Sequence, residues 1–357
     1  MRAAAPIRVV VVDDSATVRA VLRRLLGKTG DLVVVAEAED GAHAVEATVE
    51  LAPDVVLMDI EMPAMDGFEA TARIMAVRPT PIVVLTSRAN RDQVATAFEA
   101  IRRGAVEVFA KPADTAGWDE LSVTLPPAVR AAAGARAASA VAARVRPTPP
   151  LHAARVASTG QQQPRAPIRF VAIGASTGGP NAIHEFLKAL PAAAPAPVLI
   201  VQHIAAGFEE GFADWLAKDL KRDVRIAVDG EACRPGTVRV APSGAHLLLE
   251  PRGVLRLDAA RPPRGGHRPS ADELFLSCAA SCPKEAAGVL LSGMGADGAE
   301  GLLALRRAGG LTMVQDEASS VVFGMPRAAL ERGAADLALP PRELAAAIAR
   351  HWQEARR

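Results

Sequence analysis

Ser176 sits in Gly174-Ala175-Ser176-Thr177-Gly178, a G-x-S-x-G string between the apolar run Phe170–Ile173 and a helical pattern. A serine at a strand-to-helix turn is presented at the helix N-terminus, where backbone N–H groups and the helix dipole favour the negative charge of an oxyanion. A serine hydroxyl needs a base, and His203 ends the next apolar run, Val198–Gln202. An imidazole base needs an orienting carboxylate. Asp297 stands in Gly293-Met294-Gly295-Ala296-Asp297-Gly298, directly after Val289-Leu290-Leu291-Ser292. Singly, each has a plainer reading, with Ser176, Thr177 or Asp297 as a helix cap and His203 as a structural ring. Together they suit nucleophilic acyl transfer with the chain order Ser, His, Asp, which differs from that of α/β-hydrolases.

A second set of reactive residues lies nearer the N-terminus. Asp13-Asp14 and Asp59 each follow an apolar run, as do Thr86 and Lys111-Pro112. Carboxylates converging without His or Cys suit a hard, oxygen-seeking ion such as Mg²⁺. With one lysine and one hydroxyl they make a site in which a carboxylate accepts a phosphoryl group. A competing motif overlaps the hydrolase residues: Gly293, Gly295 and Gly298 spell G-x-G-x-x-G, with Asp316-Glu317 roughly 20 residues on, as in a dinucleotide-binding oxidoreductase. Asp297 beside the third glycine would repel a pyrophosphate, and that reading leaves Ser176 and His203 without a role.

The elements that must carry these residues follow from periodicity. Val9–Val12, Val33–Ala36, Val55–Met58, Ile82–Leu85 and Val106–Phe109 read as buried strands separated by amphipathic helices. Residues 1–125 are thus expected to form a (βα)5 flavodoxin-like domain, whose strand ends face one crevice. Residues 126–167 are rich in Ala, Arg, Pro and Gln and lack acidic residues, which predicts a flexible linker with at most a short helix near Val129–Val145. Residues 168–357 hold a second series: Phe170–Ile173, Val198–Val201, Val238–Ala241, Val289–Leu291 and Leu311–Val314. This is a doubly wound, mainly parallel α/β domain. Hairpin turns are expected at Asp229-Gly230, Pro235-Gly236, Ser243-Gly244 and Arg252-Gly253, giving an antiparallel insertion.

Composition narrows the function further. Of 357 residues, 41 are Lys or Arg and 40 Asp or Glu, a net charge of +1, and aromatics are 3%. Neither a basic footprint nor a stacking platform for nucleic acid is present. The cysteines Cys233, Cys278 and Cys282 are odd in number, which suits a reducing compartment, and they read as buried side chains rather than metal ligands. No run of 18 apolar residues occurs, so no membrane insertion is expected and a cytoplasmic location is.

The strings Asp13-Asp14, Asp59, Met62-Pro63, Asp66-Gly67, Thr86 and Lys111-Pro112 resemble response-regulator receiver domains. That resemblance implies Asp59 as phosphoacceptor and Mg²⁺ held by Asp14, Asp59 and the Glu61 carbonyl, with Asp13 assisting. It also implies Thr86 and Lys111 on the phosphoryl oxygens, and a sensor histidine kinase as phosphodonor. Where that family carries a switch Phe or Tyr, three residues before the lysine, stands Val108, with Phe109 displaced by one. Residues 168–355 resemble the catalytic domain of chemotaxis protein-glutamate methylesterases (CheB type). The matching strings are Ile173–Gly179, Gln202-His203, His267-Arg268-Pro269-Ser270, Gly293-Met294-Gly295 with Asp297-Gly298, Glu317-Ala318-Ser319 and Val321–Pro326. The resemblance implies Ser176 as nucleophile, His203 as base and acid, Asp297 as orienter, and an oxyanion hole of backbone N–H groups near Thr177 and Met294. No cofactor is implied for ester cleavage. The implied substrates are methyl-accepting chemoreceptors, with glutamine deamidation as a second reaction. Ile204-Ala205-Ala206 replaces the family's frequent Met-Pro-Pro, and Gly265-Gly266 replaces a polar residue before His267.

Overall fold

In the computed structural model, residues 5–86, 94, 97–112, 114–144 and 166–355 are described. They divide into two compact units, Met1–Arg144 and Val145–Arg357. In the first, β1 (Ile7–Val12), β2 (Leu32–Ala38), β3 (Val55–Met58), β4 (Ile82–Thr86) and β5 (Glu107–Ala110) form a parallel sheet of order β2-β1-β3-β4-β5. Helices α1 (Ala16–Gly27), α2 (Gly41–Leu51), α3 (Gly67–Val77), α4 (Glu99–Arg102) and α5 (Thr115–Arg144) accompany it. Local chemistry starts three of them: the side chains of Ser15, Asp40 and Asp66 accept the N–H of Val18, His43 and Glu69. The strand order reverses between β1 and β3, so Asp13-Asp14 and Asp59 emerge side by side at the switch point.

The segment from 126 differs from the expected linker. α5 runs from Thr115 through Pro126-Pro127 to Arg144, and Leu121, Leu125, Val129 and Ala132 are buried with Leu22, Leu25 and Leu26 of α1 in the unit's core. These positions recur at helical spacing. Their burial, with the Arg130 guanidinium gripping Asp31 through Nε (2.6 Å) and Nη2 (2.8 Å), offsets two prolines that would otherwise end a helix. Of the remainder of the expected linker, residues 145–165 lie outside the described residues, and Ala166-Pro167 precede β6.

In the second unit β6 (Phe170–Ala175), β7 (Val198–Gln202), β8 (Val224–Ile226), β9 (Val238–Val240), β12 (Ala286–Leu290), β13 (Leu311–Gln315) and β14 (Leu337–Leu339) form a sheet of order β14-β13-β12-β6-β7-β9-β8. Every pairing in it is parallel. β10 (His246–Glu250) and β11 (Val254–Asp258) make a separate antiparallel pair. The helices are α6 (Gly179–Ala189), α7 (Glu209–Leu220), α8 (Ala271–Ser281), α9 (Ala299–Arg307), α10 (Met325–Glu331) and α11 (Pro341–Glu354). Of the four expected hairpin turns, Arg252-Gly253 alone joins antiparallel neighbours, both residues at positive φ (68° and 78°). Asp229-Gly230 and Pro235-Gly236 lie in the crossover between the parallel strands β8 and β9, and Ser243-Gly244 leads from one sheet to the other. Turn residues mark a reversal but do not say which strand is paired afterwards.

A core of Phe275, Leu274 and Cys278 from α8, Leu302 and Leu305 from α9, and Leu290 from β12 covers one face of this sheet. Cys278 is fully buried there, while Cys233 and Cys282 are half-buried with thiols that burial pushes up to about 12. Among the described residues no helix is long and apolar enough to cross a membrane. The helical continuation through 126–132 has a measurable consequence. Val129→Ala, at 0% exposure, should cost the first unit about 2 kcal/mol, two buried methyl groups plus a cavity. Val123→Ala on the same helix, at 71% exposure, should stay within about 0.5 kcal/mol. Denaturant titration of the full chain distinguishes them, and equal, negligible effects would show that residue 129 bears no packing.

Candidate active site

The second sheet reverses direction on either side of β6: the chain proceeds from β6 to β7 on one flank and returns through β12 on the other. Ser176 is the first residue beyond β6, His203 the first beyond β7, and Asp297 lies in the turn after β12. Ala175 is in register with Gln202, so Ser176 and His203 leave adjacent strands at the same level. The His203 N–H continues the ladder to the Ala175 carbonyl at 2.9 Å. On the other flank the Ser176 N–H donates to the Ser292 carbonyl at 3.0 Å.

This order dictates which imidazole nitrogen meets which partner. Neighbouring strands are about 4.8 Å apart, so β7 and β12, on either side of β6, are about 10 Å apart. From the end of β7 the ring must cross the serine's strand to reach the carboxylate, and the far nitrogen does so: His203 Nε2 lies 2.9 Å from Asp297 Oδ2. The near nitrogen, Nδ1, is buried with no hydrogen-bond partner among the described residues. With Nε2–H donating to the carboxylate, the lone pair of Nδ1 is left for a proton from the serine side.

Asp297 does not cap its own helix, α9, whose N-cap residue is Gly298. Its carboxylate instead closes the N-terminus of α8. Oδ1 accepts the Ser270 hydroxyl (2.6 Å) and the Asp272 N–H (3.2 Å), and Oδ2 accepts the Ala271 N–H (2.7 Å). Two glycines make room for that helix end. A Cβ on Gly174 would lie 2.6 Å from the Ala271 Cβ, and one on Gly298 2.6 Å from Leu290 and 3.1 Å from Ala271. Burial pushes the Asp297 carboxyl up, but the His203 contact and the donors of α8 outweigh it and hold it at about 2.

Other residues that sequence reasoning assigned loosely or missed converge here. His267 entered the sequence reading only as part of the matching string His267-Arg268-Pro269-Ser270. Its ring stacks on His203 with centroids 4.0 Å apart and planes 8° from parallel, and burial, then the neighbouring His203, lower its pKa against the opposing pull of Asp297. Ser270 caps α8, accepting the Glu273 N–H, while Glu273 turns away to pair with Arg261 and Arg264. Ser292, wholly buried, was missed: its hydroxyl donates to the Thr177 carbonyl (2.8 Å) and accepts the Val322 N–H (3.0 Å). The backbone N–H groups of Thr177 and Met294, the expected oxyanion donors, take no partner among the described residues. Two glycines of the competing dinucleotide motif, Gly293 and Gly298, are accounted for by packing, and Gly295 by its positive φ of 87°. Gly293 lets Ser176 approach, since a Cβ there would lie 2.9 Å from the Ser176 Cβ. Asp316 is engaged by Ser319, and the carboxylate of Asp297 lies where a pyrophosphate would need positive charge.

In the first unit, carboxylate oxygens of Asp13, Asp14 and Asp59 lie within 4.8 Å of one another. Lys111 Nζ is 2.5 Å from Asp59 Oδ2 and 2.8 Å from Asp13 Oδ2. Burial pushes the Asp59 carboxyl up to about 6 against Lys111, with Asp13 adding to the rise. Such crowded anions are short of positive charge, and an all-oxygen set of this kind fits a divalent cation of the Mg²⁺ type. Thr86 is buried at the end of β4, and its carbonyl accepts the Lys111 N–H at 2.7 Å. Glu61 is exposed in the loop two residues beyond Asp59. Val108 is buried, whereas Phe109 packs on the face that carries α1 and α5.

The depressed Asp297 carboxyl gives a pH signature. Its folded value of about 2 lies below the roughly 3.9 of an unfolded Asp. Its ionised form therefore contributes about 2 kcal/mol at neutral pH, and this is lost as the pH falls from about 4 through 2. Asp297→Asn should lower the thermal midpoint of the full chain at pH 7, with the gap to the parent chain narrowing as the pH drops below 4. A gap independent of pH would show that the carboxylate's charge contributes nothing.

Residues 171–348 match the family model described as CheB methylesterase, and residues 9–119 match the response regulator receiver domain. The chain is 44% identical over 343 residues to protein-glutamate methylesterase/protein-glutamine glutaminase 2 of Anaeromyxobacter dehalogenans, covering 96% of each chain. It is 42% identical to the corresponding protein of Symbiobacterium thermophilum over 355 residues, 97% of each. The CheB methylesterase catalytic domain of Thermotoga maritima is 34% identical with a TM-score of 0.49, covering 51% of this chain and 98% of that domain. Identity at this level over nearly the whole of both chains means that the protein belongs to the CheB family, a receiver domain followed by a methylesterase domain.

Proposed function

We propose that this chain removes methyl esters from glutamate side chains of chemoreceptors, with Ser176 as nucleophile, His203 as general base and acid, and Asp297 as the orienting carboxylate. The observation that carries the reading is the 2.9 Å contact between His203 Nε2 and Asp297 Oδ2, made from the strands on either side of β6, the strand that leads into Ser176. His203 Nδ1 takes the Ser176 proton as Oγ attacks the ester carbonyl. The N–H groups of Thr177 and Met294 receive the developing oxyanion at the start of α6. The protonated ring returns its proton to the departing methanol, and the same nitrogen then activates water to release the glutamate carboxylate. A glutamine side chain fits the same sequence with ammonia leaving, because the tetrahedral intermediates have the same shape and charge. The names of the relatives pair the same two activities.

The receiver unit supplies control. Asp59 accepts a phosphoryl group from a sensor histidine kinase, Lys111 and Thr86 contact the phosphoryl oxygens, and phosphorylation activates the esterase. Asp13, Asp14 and Asp59, with the Glu61 carbonyl, are the residues that would hold Mg²⁺, whose charge offsets that of the incoming phosphate. The setting is the cytoplasm, where receptor methylation sites and the kinase are both reached.

Three variants or treatments test this on methylated receptor membranes. Ser176→Ala should reduce methanol release about 10⁴-fold or more, and release at the parental rate would refute the catalytic assignment. Asp59→Ala should leave basal release but abolish its rise with a small phosphodonor. Removing Mg²⁺ with a chelator should likewise erase the phosphodonor response and spare the basal rate. A response that survives both changes would exclude the proposed phosphoacceptor site.

A further inference from the structure

The side chain of Gln202 touches neither the nucleophile's hydroxyl nor the imidazole, yet it is built into the backbone of both residues. Gln202 is the last residue of β7, 3% exposed. Its Nε2 donates to the Ser176 carbonyl and to the His203 carbonyl, each at 2.9 Å. Its two amide hydrogens are thus shared between the two residues that must exchange a proton. We infer that Gln202 is a positioning residue that sets the separation and orientation of Ser176 and His203, an inference that rests on the proposed esterase reading.

Three features favour positioning over simple space filling. First, the ladder ends at Ala175 and Gln202, so beyond the His203 N–H bond to Ala175 no strand pairing holds the two residues together. The Gln202 amide supplies the next rung from a side chain. Second, the Ser176 backbone is held from both flanks: its N–H donates to the Ser292 carbonyl on the β12 side, and its C=O, which also accepts the Gly179 N–H at 2.7 Å, is tied to the β7 side by Gln202. Without the Gln202 donors the Ser176 carbonyl would keep its Gly179 bond but lose its link to the His203 carbonyl. Third, the amide is retained although its Oε1 is buried with no hydrogen-bond partner. An unsatisfied buried acceptor is costly, so the two donors must do something an apolar side chain would not. Gly179 shows how tightly the group is housed: a Cβ there would come within 2.1 Å of Gln202 Oε1. Among side chains of this length, only a primary amide offers two hydrogens to two carbonyls without a charge.

The test uses the full chain and two substitutions. Gln202→Met keeps the bulk and removes both donors, and Gln202→Glu keeps the shape but turns donors into acceptors. Both should lower kcat for methanol release by roughly 100-fold, the scale of a misplacement of about 1 Å, with KM little changed. Inactivation by a fluorophosphonate, which reads the reactivity of Ser176 without the receptor, should slow in parallel while the thermal midpoint of Gln202→Met stays near the parental one. The inference is overturned if Gln202→Met keeps kcat and inactivation rate within twofold of the parent. It is equally overturned if both variants fail to fold, which would assign the amide to stability. If the parent chain itself neither releases methanol nor reacts with the probe at Ser176, the esterase reading fails and takes this inference with it. That result is distinct from parental activity with indifferent variants.

Discussion

The contact between His203 and Asp297 is the constraint around which the second unit is arranged. An imidazole and a carboxylate on strands that flank a third must meet over the end of that third strand, and Ser176 is the residue that follows it. For the carboxylate to stay ionised while buried it needs donors besides the imidazole, and α8 brings its first N–H groups and the Ser270 hydroxyl to it. For α8 to come so close, Gly174 in β6 and Gly298 before α9 must lack side chains. Glycines that look like turn punctuation in the sequence are thus spacing elements for a helix terminus that arrives from more than twenty residues away.

The two units apply one topological rule to different chemistry. In each, a parallel sheet reverses its strand order at a switch point and the residues after the flanking strands share a crevice. In the first unit those residues are carboxylates with a lysine, and burial raises the Asp59 carboxyl to about 6. In the second the single carboxylate is held at about 2 by donors aimed at it. The opposite displacements reflect what surrounds each group. Asp59 has another carboxylate beside it, and Asp297 has a helix terminus.

How much of this was legible in the sequence depends on the range of the interaction. Ser176, His203, Asp297, Asp13, Asp14, Asp59, Thr86 and Lys111 were legible because each follows an apolar run, and strand-end placement is local. The α8 terminus closing on Asp297, the ring of His267 against His203 and the Ser292 bridge between Thr177 and Val322 were not. Each joins residues far apart in the chain whose types, Ser and His, have common structural uses. Residues 126–132 misled for a different reason. Alanine-rich composition and two adjacent prolines resemble a tether, yet Leu125, Val129 and Ala132 lie on one helical stripe that the α1 leucines cover. The small size of alanine hid the stripe from a search for large apolar residues. Gln202 was visible as half of the Gln202-His203 string and as the polar end of an apolar strand, a position where solvent exposure is the default expectation and burial the informative exception.

The receiver's departure from its family pattern can be placed by strand geometry. Successive residues of β5 face opposite sides of the sheet. Phe109 packs among the α1 and α5 side chains, so Val108 belongs to the other face, where it is 4% exposed. The aromatic displaced by one position is therefore on the wrong side to substitute for a ring at 108. A valine lacks a polar tip that would favour exposure, and turning it to solvent would only lose apolar burial. In the proposed activation, the load falls instead on Thr86 and Lys111, which are linked through the Lys111 N–H to Thr86 carbonyl bond at the ends of β4 and β5. A phosphoryl group that drew the Lys111 ammonium and the Thr86 hydroxyl together would move these two strand ends as one, without any ring having to change sides.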